Sequence, residues 1–155
     1  MSKLPKMALS YARVEDLFPL WPYSGQCRRF YSVAEHSLFV SELCDFKLAA
    51  LLHDAAEAFV GDLPSPLKSL LPEYKRIETR IQGVIFDRFG LGKDIPPEVK
   101  ATEKRVLAAE QAQIMPPGTT AWAQQEGIEP APILVRHLSP PEAKELFLSR
   151  FEELK

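Results

Sequence analysis

Prolines limit the length of every element this chain can form. There are 14 of them, about twice the average share. Most fall in close pairs: Pro19 with Pro22, Pro64 with Pro66, Pro96 with Pro97, Pro116 with Pro117, Pro130 with Pro132, Pro140 with Pro141. Proline lacks a backbone N–H and its ring collides with the preceding turn, so helices stop or start where the pairs stand. The chain therefore reads as short helices joined by proline loops.

Between the cuts the apolar spacing is helical. Met7 to Phe18 forms a first helix, closed by Pro19. Ser32 to about Cys44 forms the next, with Ser32 and Glu35 as a capping box and Val33, Leu38, Val40 and Leu43 supplying apolar surface. Phe46 to Phe59 is apolar nearly all round, as befits a helix in the middle of a domain. A short piece follows over Ser65 to Leu71. An amphipathic helix then runs from Glu73 to Phe89, stopped by Gly90. Pro97 opens a helix that reaches about Met115, and Ser139 with Glu142 caps the last one. The stretch 116–138 is long for a bare connection and is expected to hold a helical turn around Trp122. Ile133-Leu134-Val135 is the one β-like run. The expected fold is all-α, a compact helical bundle forming a single domain over 1–155.

Composition excludes several roles. With 19 basic and 21 acidic residues and no basic run interleaved with aromatics, no nucleic-acid or membrane surface is expected. The amino terminus lacks the apolar core of a secretory signal, and no window reaches the roughly 18 apolar residues of a membrane span. Cys27 and Cys44 are too few for a disulfide framework and read as reduced packing thiols of a cytoplasmic protein. An anionic ligand must then be met by a local site.

The candidate site lies in the most apolar segment. His53 is followed at once by Asp54, and Glu57 comes four residues after the histidine, so all three can approach one helix face. Burying such charges is unfavourable unless they are paired or bind a metal. A satisfied core His-Asp pair is the plain alternative. His36 sits in the preceding helix. His137, in an extended proline-flanked stretch without an acidic neighbour, reads as structural or exposed.

The segments YSVAEHS, ALLHDAAEAFVGDLPSPLK and LLPEYKRIETRI resemble the HD-domain metal-dependent phosphohydrolases. The likeness is to the subgroup of bacterial 5′-deoxynucleotidases and phage deoxynucleotide triphosphohydrolases, and it is dense from about Trp21 to Glu110. The resemblance implies an HD-type bundle with His36, His53 and Asp54 as metal ligands. The family's fourth ligand is an aspartate seven residues before a glutamate. Here Glu103 takes that place before Glu110, with a carboxylate reaching roughly 1.5 Å further. Glu57 falls at the catalytic glutamate, a proton donor or relay. Asp62, Leu63, Pro64 and Ser65 match the loop that contacts the nucleoside sugar, and Lys68 is the adjacent candidate phosphate contact. Trp21 matches the tryptophan near the nucleoside, but the arginine before it in the family is Leu20 here, which leaves Arg28 and Arg29 as replacement cations for phosphate.

The implied cofactor is a divalent transition ion, Mn, Co, Fe or Zn, which suits two imidazoles with carboxylate oxygens. The implied substrate is a small-molecule (deoxy)nucleotide hydrolysed at the α-phosphate to nucleoside plus phosphate or triphosphate. Assembly into homo-oligomers is implied as well, with the C-terminal helix as candidate interface. Alternatives stand beside several of these roles. Glu103 can be a solvated helix residue, Glu57 a partner orienting His53, the Asp62–Ser65 loop a plain turn, and the cations ordinary surface residues. A degenerate domain that binds a nucleotide or partner without turnover, motivated by Glu103 and Leu20, is the rival function, and a plain helical scaffold is the third.

Overall fold

The computed structural model describes residues 27–155; the helix expected over Met7 to Phe18, and with it Leu20 and Trp21, lies outside them. Among the described residues there are eight helices and no strand. They are α1 (Val33–Leu43), α2 (Lys47–Leu51), α3 (Glu57–Val60), α4 (Ser65–Ser69), α5 (Pro72–Arg88), α6 (Pro97–Ile114), α7 (Ala121–Gln125) and α8 (Pro140–Leu154).

The prolines act as punctuation. Pro72, Pro97 and Pro140 each occupy the first residue of a helix, where the missing N–H would have had no intrahelical partner anyway. At the other end of α5, Gly90 adopts φ 68°. Its N–H donates to the Asp87 carbonyl at 3.2 Å, and the Leu91 N–H donates to Phe86 at 2.9 Å. This is a Schellman closure, which needs a left-handed residue that glycine adopts without strain. The α8 capping box between Ser139 and Glu142 forms as expected, and the expected turn around Trp122 is α7.

Helix α1 shares the centre of the core with the Phe46–Phe59 segment, in which residues 49–53 and 55–57 are buried. Every residue from Val33 to Ser41 is buried, and α1 packs against α2, α6 and α8. Leu43 departs from expectation: it is 41% exposed, while Phe39 is buried in its stead. Burying α1 carries Ser32, Glu35, His36, Ser37 and Ser41 into the core, and no buried side-chain N or O among the described residues lacks a hydrogen-bond partner. Ser32 accepts from the Glu35 N–H at 3.1 Å, but the reciprocal half of the expected capping box does not form. The Glu35 carboxylate instead accepts three backbone N–H groups from the far end of the chain: Arg136 at 2.7 Å, His137 at 3.1 Å and Leu138 at 2.9 Å. His137, at φ 56°, turns the backbone so that consecutive donors converge on one carboxylate.

The β-like run Ile133-Leu134-Val135 is satisfied without a strand. The Gln113 amide donates to the Ile133 carbonyl at 3.2 Å and accepts from the Val135 N–H at 3.0 Å, standing in for a neighbouring edge. Glu35 and Gln113 thus hold the extended stretch before α8 against α1 and α6. Hydrogen bonds to a charged group each contribute about 1.5–3 kcal/mol. Glu35→Ala is therefore expected to lower unfolding free energy by about 3 kcal/mol, measured by urea denaturation. Glu35→Gln, which keeps one acceptor oxygen, should lose less. A change within about 0.5 kcal/mol for the alanine variant, the scale of an ordinary surface substitution, would show that the clamp is dispensable.

The one large departure in secondary structure falls at the candidate site. The helix expected to run unbroken from Phe46 to Phe59 is interrupted: α2 ends at Leu51, residues 52–56 form turns, and α3 begins at Glu57. Through the gap the backbone bonds shorten to the tighter i→i+3 spacing, Ala55 N–H to Leu52 at 3.1 Å and Glu57 N–H to Asp54 at 2.9 Å. Such tightening inside a helix often marks a functional position. Gly61, at φ 77°, closes α3.

Candidate metal centre

Three side chains converge at the break. Nε2 of His36, from α1, lies 3.3 Å from Nε2 of His53. The Asp54 carboxylate lies 3.1 Å from His53 Nε2 and 3.8 Å from His36 Nε2. All three ligand atoms fall within 4.8 Å of one another, a group able to hold a metal ion. An ion with bonds of about 2.1 Å separates adjacent ligands by roughly 3.0–3.4 Å, close to the spacing seen. Both histidines are buried, while the Asp54 side chain is 24% exposed, so the group opens on the aspartate side.

The outer partners fix the imidazole tautomers. His53 Nδ1 lies 2.7 Å from the Ala50 carbonyl, which only accepts, so Nδ1 carries the proton and Nε2 is left with its lone pair. That contact also occupies the carbonyl which a continuing helix would pair with the Asp54 N–H. His36 Nδ1 lies 2.9 and 3.0 Å from the two Glu110 oxygens, and the Tyr31 hydroxyl donates to the same carboxylate at 2.5 Å. Nδ1 of His36 is thereby the donor as well. With both imidazoles neutral, two Nε2 lone pairs and a carboxylate oxygen face one another in a largely buried space. Such donors repel unless a cation stands among them, and orienting each ligating imidazole through its other nitrogen is the usual outer arrangement of a metal site.

The electrostatics point the same way. Burial disfavours protonated His36, but the Glu110 carboxylate, with smaller help from Asp54 and Glu103, lifts its pKa to about 9. Burial likewise opposes protonation of His53, and Asp54 followed by Glu103 overcomes it, raising the pKa. Asp54 is pushed the other way: burial is outweighed by His53, then His36, which hold its carboxyl far below the usual range. The site draws positive charge, as a proton or as a metal ion.

Around the group stand the other candidate residues. Glu57 is buried, and burial, reinforced by Asp54 and Asp62 and only partly offset by Lys68, pushes its carboxyl well above the ordinary value. Its alternative role as the partner orienting His53 is taken by the Ala50 carbonyl. Lys68 Nζ donates to Glu78 at 2.7 Å, lies 3.9 Å from Glu57 Oε1 and stands 5.8 Å from the centre of the Tyr74 ring. The Tyr74 hydroxyl donates to the Gly61 carbonyl at 2.5 Å, tying the loop after α3 to α5. Asp62, Leu63 and Pro64 in that loop are half-buried and Ser65 is exposed. Arg28 and Arg29 are exposed, and the Arg28 N–H donates to the Ile114 carbonyl at 3.0 Å. His137, half-buried in the clamp described above, stands apart from the metal group, as expected.

Glu103 is not part of the three-residue group. Its carboxylate lies 4.0 Å from Lys100 Nζ and acts on both imidazoles through its charge. Glu110 and Tyr31 are the residues that sequence reasoning left without a role. The available signal was an acidic residue inside the apolar run VLAAE, seven positions after Glu103. Neither Cys27 nor Cys44 is in a disulfide among the described residues, and Cys44 lies in the core. No helix among the described residues is long and apolar enough to cross a membrane.

No protein-family model matches the chain. It is 38% identical over 135 residues to the uncharacterized protein YfdR of Escherichia coli (strain K12), an alignment spanning 85% of this chain and 76% of YfdR. It is 35% identical over 142 residues to the uncharacterized protein RCAP_rcc00048 of Rhodobacter capsulatus, across 80% of this chain and 72% of that one. The chain belongs to the same family as YfdR and RCAP_rcc00048.

Proposed function

We propose that the protein is a metal-dependent phosphohydrolase of the HD-domain kind, acting on deoxynucleotides at the α-phosphorus. The observation that carries this reading is the convergence of two oriented imidazoles and a carboxylate beside a buried glutamate. His36, His53 and Asp54 would hold the ion, and Glu103 would add an oxygen through a bridging water. A divalent transition ion there supplies Lewis acidity to a phosphoryl oxygen and lowers the pKa of a water to near neutrality.

The chain's own groups supply the rest. Attack of water oxygen on phosphorus breaks the bond to the sugar O5′, and the departing oxygen needs a proton. Glu57, whose neutral form is favoured by its burial and its acidic neighbours, would give it. Lys68 has three N–H donors, of which Glu78 takes one, so it keeps capacity for a phosphate oxygen. Asp62 at the turn after α3 would accept from the sugar edge. A pocket that hydrogen-bonds a sugar strongly rejects analogues that leave its groups unpaired, so deoxyribonucleotides and ribonucleotides should be told apart, with deoxyribose preferred.

The test is incubation of protein loaded separately with Mn, Fe, Co or Zn with each dNMP, dNTP and ribonucleotide, followed by chromatographic identification of nucleoside, orthophosphate and triphosphate. Nucleoside with intact triphosphate identifies a triphosphohydrolase, and nucleoside from monophosphates alone a nucleotidase. Absence of nucleoside under every condition overturns the proposal. Saturable nucleotide binding in that case would establish the non-hydrolytic reading, which the position of Glu103 outside the ligand group favours.

A further inference from the structure

In a regular helix, consecutive side chains point roughly 100° apart around the axis, and neighbours i and i+1 do not face one another. His53 and Asp54 are consecutive, yet their ligand atoms approach to 3.1 Å. Something must open the helix at this point and keep it open.

The structure shows what fills the opening. Gln82 is a buried residue of α5. Its amide nitrogen donates to the Leu52 carbonyl at 2.8 Å, and its amide oxygen accepts from the Ala56 N–H at 3.1 Å. Leu52 and Ala56 are i and i+4, the pair that a continuous helix would join directly. One side-chain amide is thus inserted into the backbone ladder, taking the Ala56 N–H and sharing the Leu52 carbonyl with the Ala55 N–H. The break spans His53 and Asp54, which lie between those two residues. A primary amide is the neutral group that offers one donor and one acceptor in parallel. A carboxylate would repel the carbonyl, and an apolar side chain would leave both backbone groups to find each other.

We infer that Gln82 is a positioning residue for the metal pair: its amide wedges the helix open at 52–56 and so turns Asp54 toward His53. The inference rests on the reading of His36, His53 and Asp54 as a metal site, and adds to it a residue 28 positions beyond Asp54. With Gln82→Met, of similar length but without donor or acceptor, the Leu52 carbonyl and Ala56 N–H can pair directly. The helix would then close, and residues 53 and 54 would return to helical spacing.

The experiment compares parent and Gln82→Met by thermal melting, by Mn²⁺ and Zn²⁺ titration calorimetry of the full chain, and by crystallography. The expected result is a folded variant with a melting temperature near that of the parent, and metal affinity reduced by roughly 10–100-fold, the scale of losing a group that fixes a ligand's orientation. The crystal structure should show a continuous helix through 52–56 and Asp54 swung away from His53. A merely structural role would move the melting temperature and leave affinity alone. Unchanged affinity in a folded variant, or an open turn with His53 and Asp54 still in contact, overturns the inference. Should Gln82→Met not fold, Gln82→Asn, whose amide is one carbon too short to span both groups, is read by the same two criteria. If the parent binds neither ion, the metal reading falls, and the His53–Asp54 separation in the variant structure decides the role of Gln82 alone.

Discussion

Asp54→Ala and His53→Ala are expected to bind no stoichiometric transition metal and to show no turnover, while remaining folded. The parent group offers two lone pairs and one carboxylate oxygen within 4.8 Å. Removing Asp54 takes away the only anionic member of that group and leaves two imidazoles facing each other at 3.3 Å. Removing His53 leaves one imidazole and one carboxylate, too few to hold an ion against water. The fold should tolerate the aspartate change best, because that side chain is partly exposed and lies at a turn. His53→Ala also forfeits the bond to the Ala50 carbonyl, so some loss of stability is expected there. Metal content of protein purified without chelator, measured by plasma mass spectrometry beside circular dichroism, checks both variants. About one ion per parent chain and none in either variant is the expected result. Full stoichiometry in both would remove these residues from the ligand set.

What the sequence disclosed about this site, and what it concealed, divides by distance along the chain. The proline cuts, the Gly90 closure and the Ser139 cap are local devices. Each needs only a few neighbouring residues, and each lies where the spacing puts it. The adjacency of His53 and Asp54 was equally local, and it led to the site. The break between α2 and α3 was not legible, because helical spacing in LAALLHDAAEAF is unbroken. The group that opens the ladder, Gln82, comes from another helix. The carboxylates tell the same story. Glu35 satisfies both expectations for an N-terminal capping residue, three after a serine at a helix start. Its carboxylate nevertheless serves backbone donors 101 to 103 residues away. Glu110 lies 74 residues from the imidazole it orients. Buried acids select partners through tertiary packing, which no periodicity encodes. Glu103, placed by analogy as a ligand, is half-buried, lies 4.0 Å from Lys100 Nζ at i,i+3 spacing and acts on both imidazoles through its charge.

Glu57→Gln separates proton transfer from metal binding. The parent carboxyl is buried, lies 3.9 Å from Lys68 and is surrounded by Asp54, Asp62 and Glu78. Burial and those acidic neighbours favour its neutral form. Glutamine copies that neutral acid in size and polarity, and keeps a donor and an acceptor. It cannot release a proton to a departing oxygen. Metal occupancy should therefore stay at the parent level, since Glu57 supplies none of the three converging ligand atoms. Stability should hold or rise slightly, because no acid remains to ionise among like charges. Turnover should fall by roughly 10²–10⁴, the usual share of general acid–base catalysis. The loss should appear in kcat with KM little changed, as for an interaction made only in the transition state. Glu57→Ala is less informative, because it also opens a cavity and frees Lys68 from one of its two carboxylates. Single-turnover rates on metal-loaded parent and Glu57→Gln, with metal content determined on the same samples, decide the matter. A metal-loaded variant hydrolysing nucleotide at the parent rate would leave Glu57 without a part in the chemistry. Loss of the ion together with the rate would make it a metal-site residue and not a proton donor.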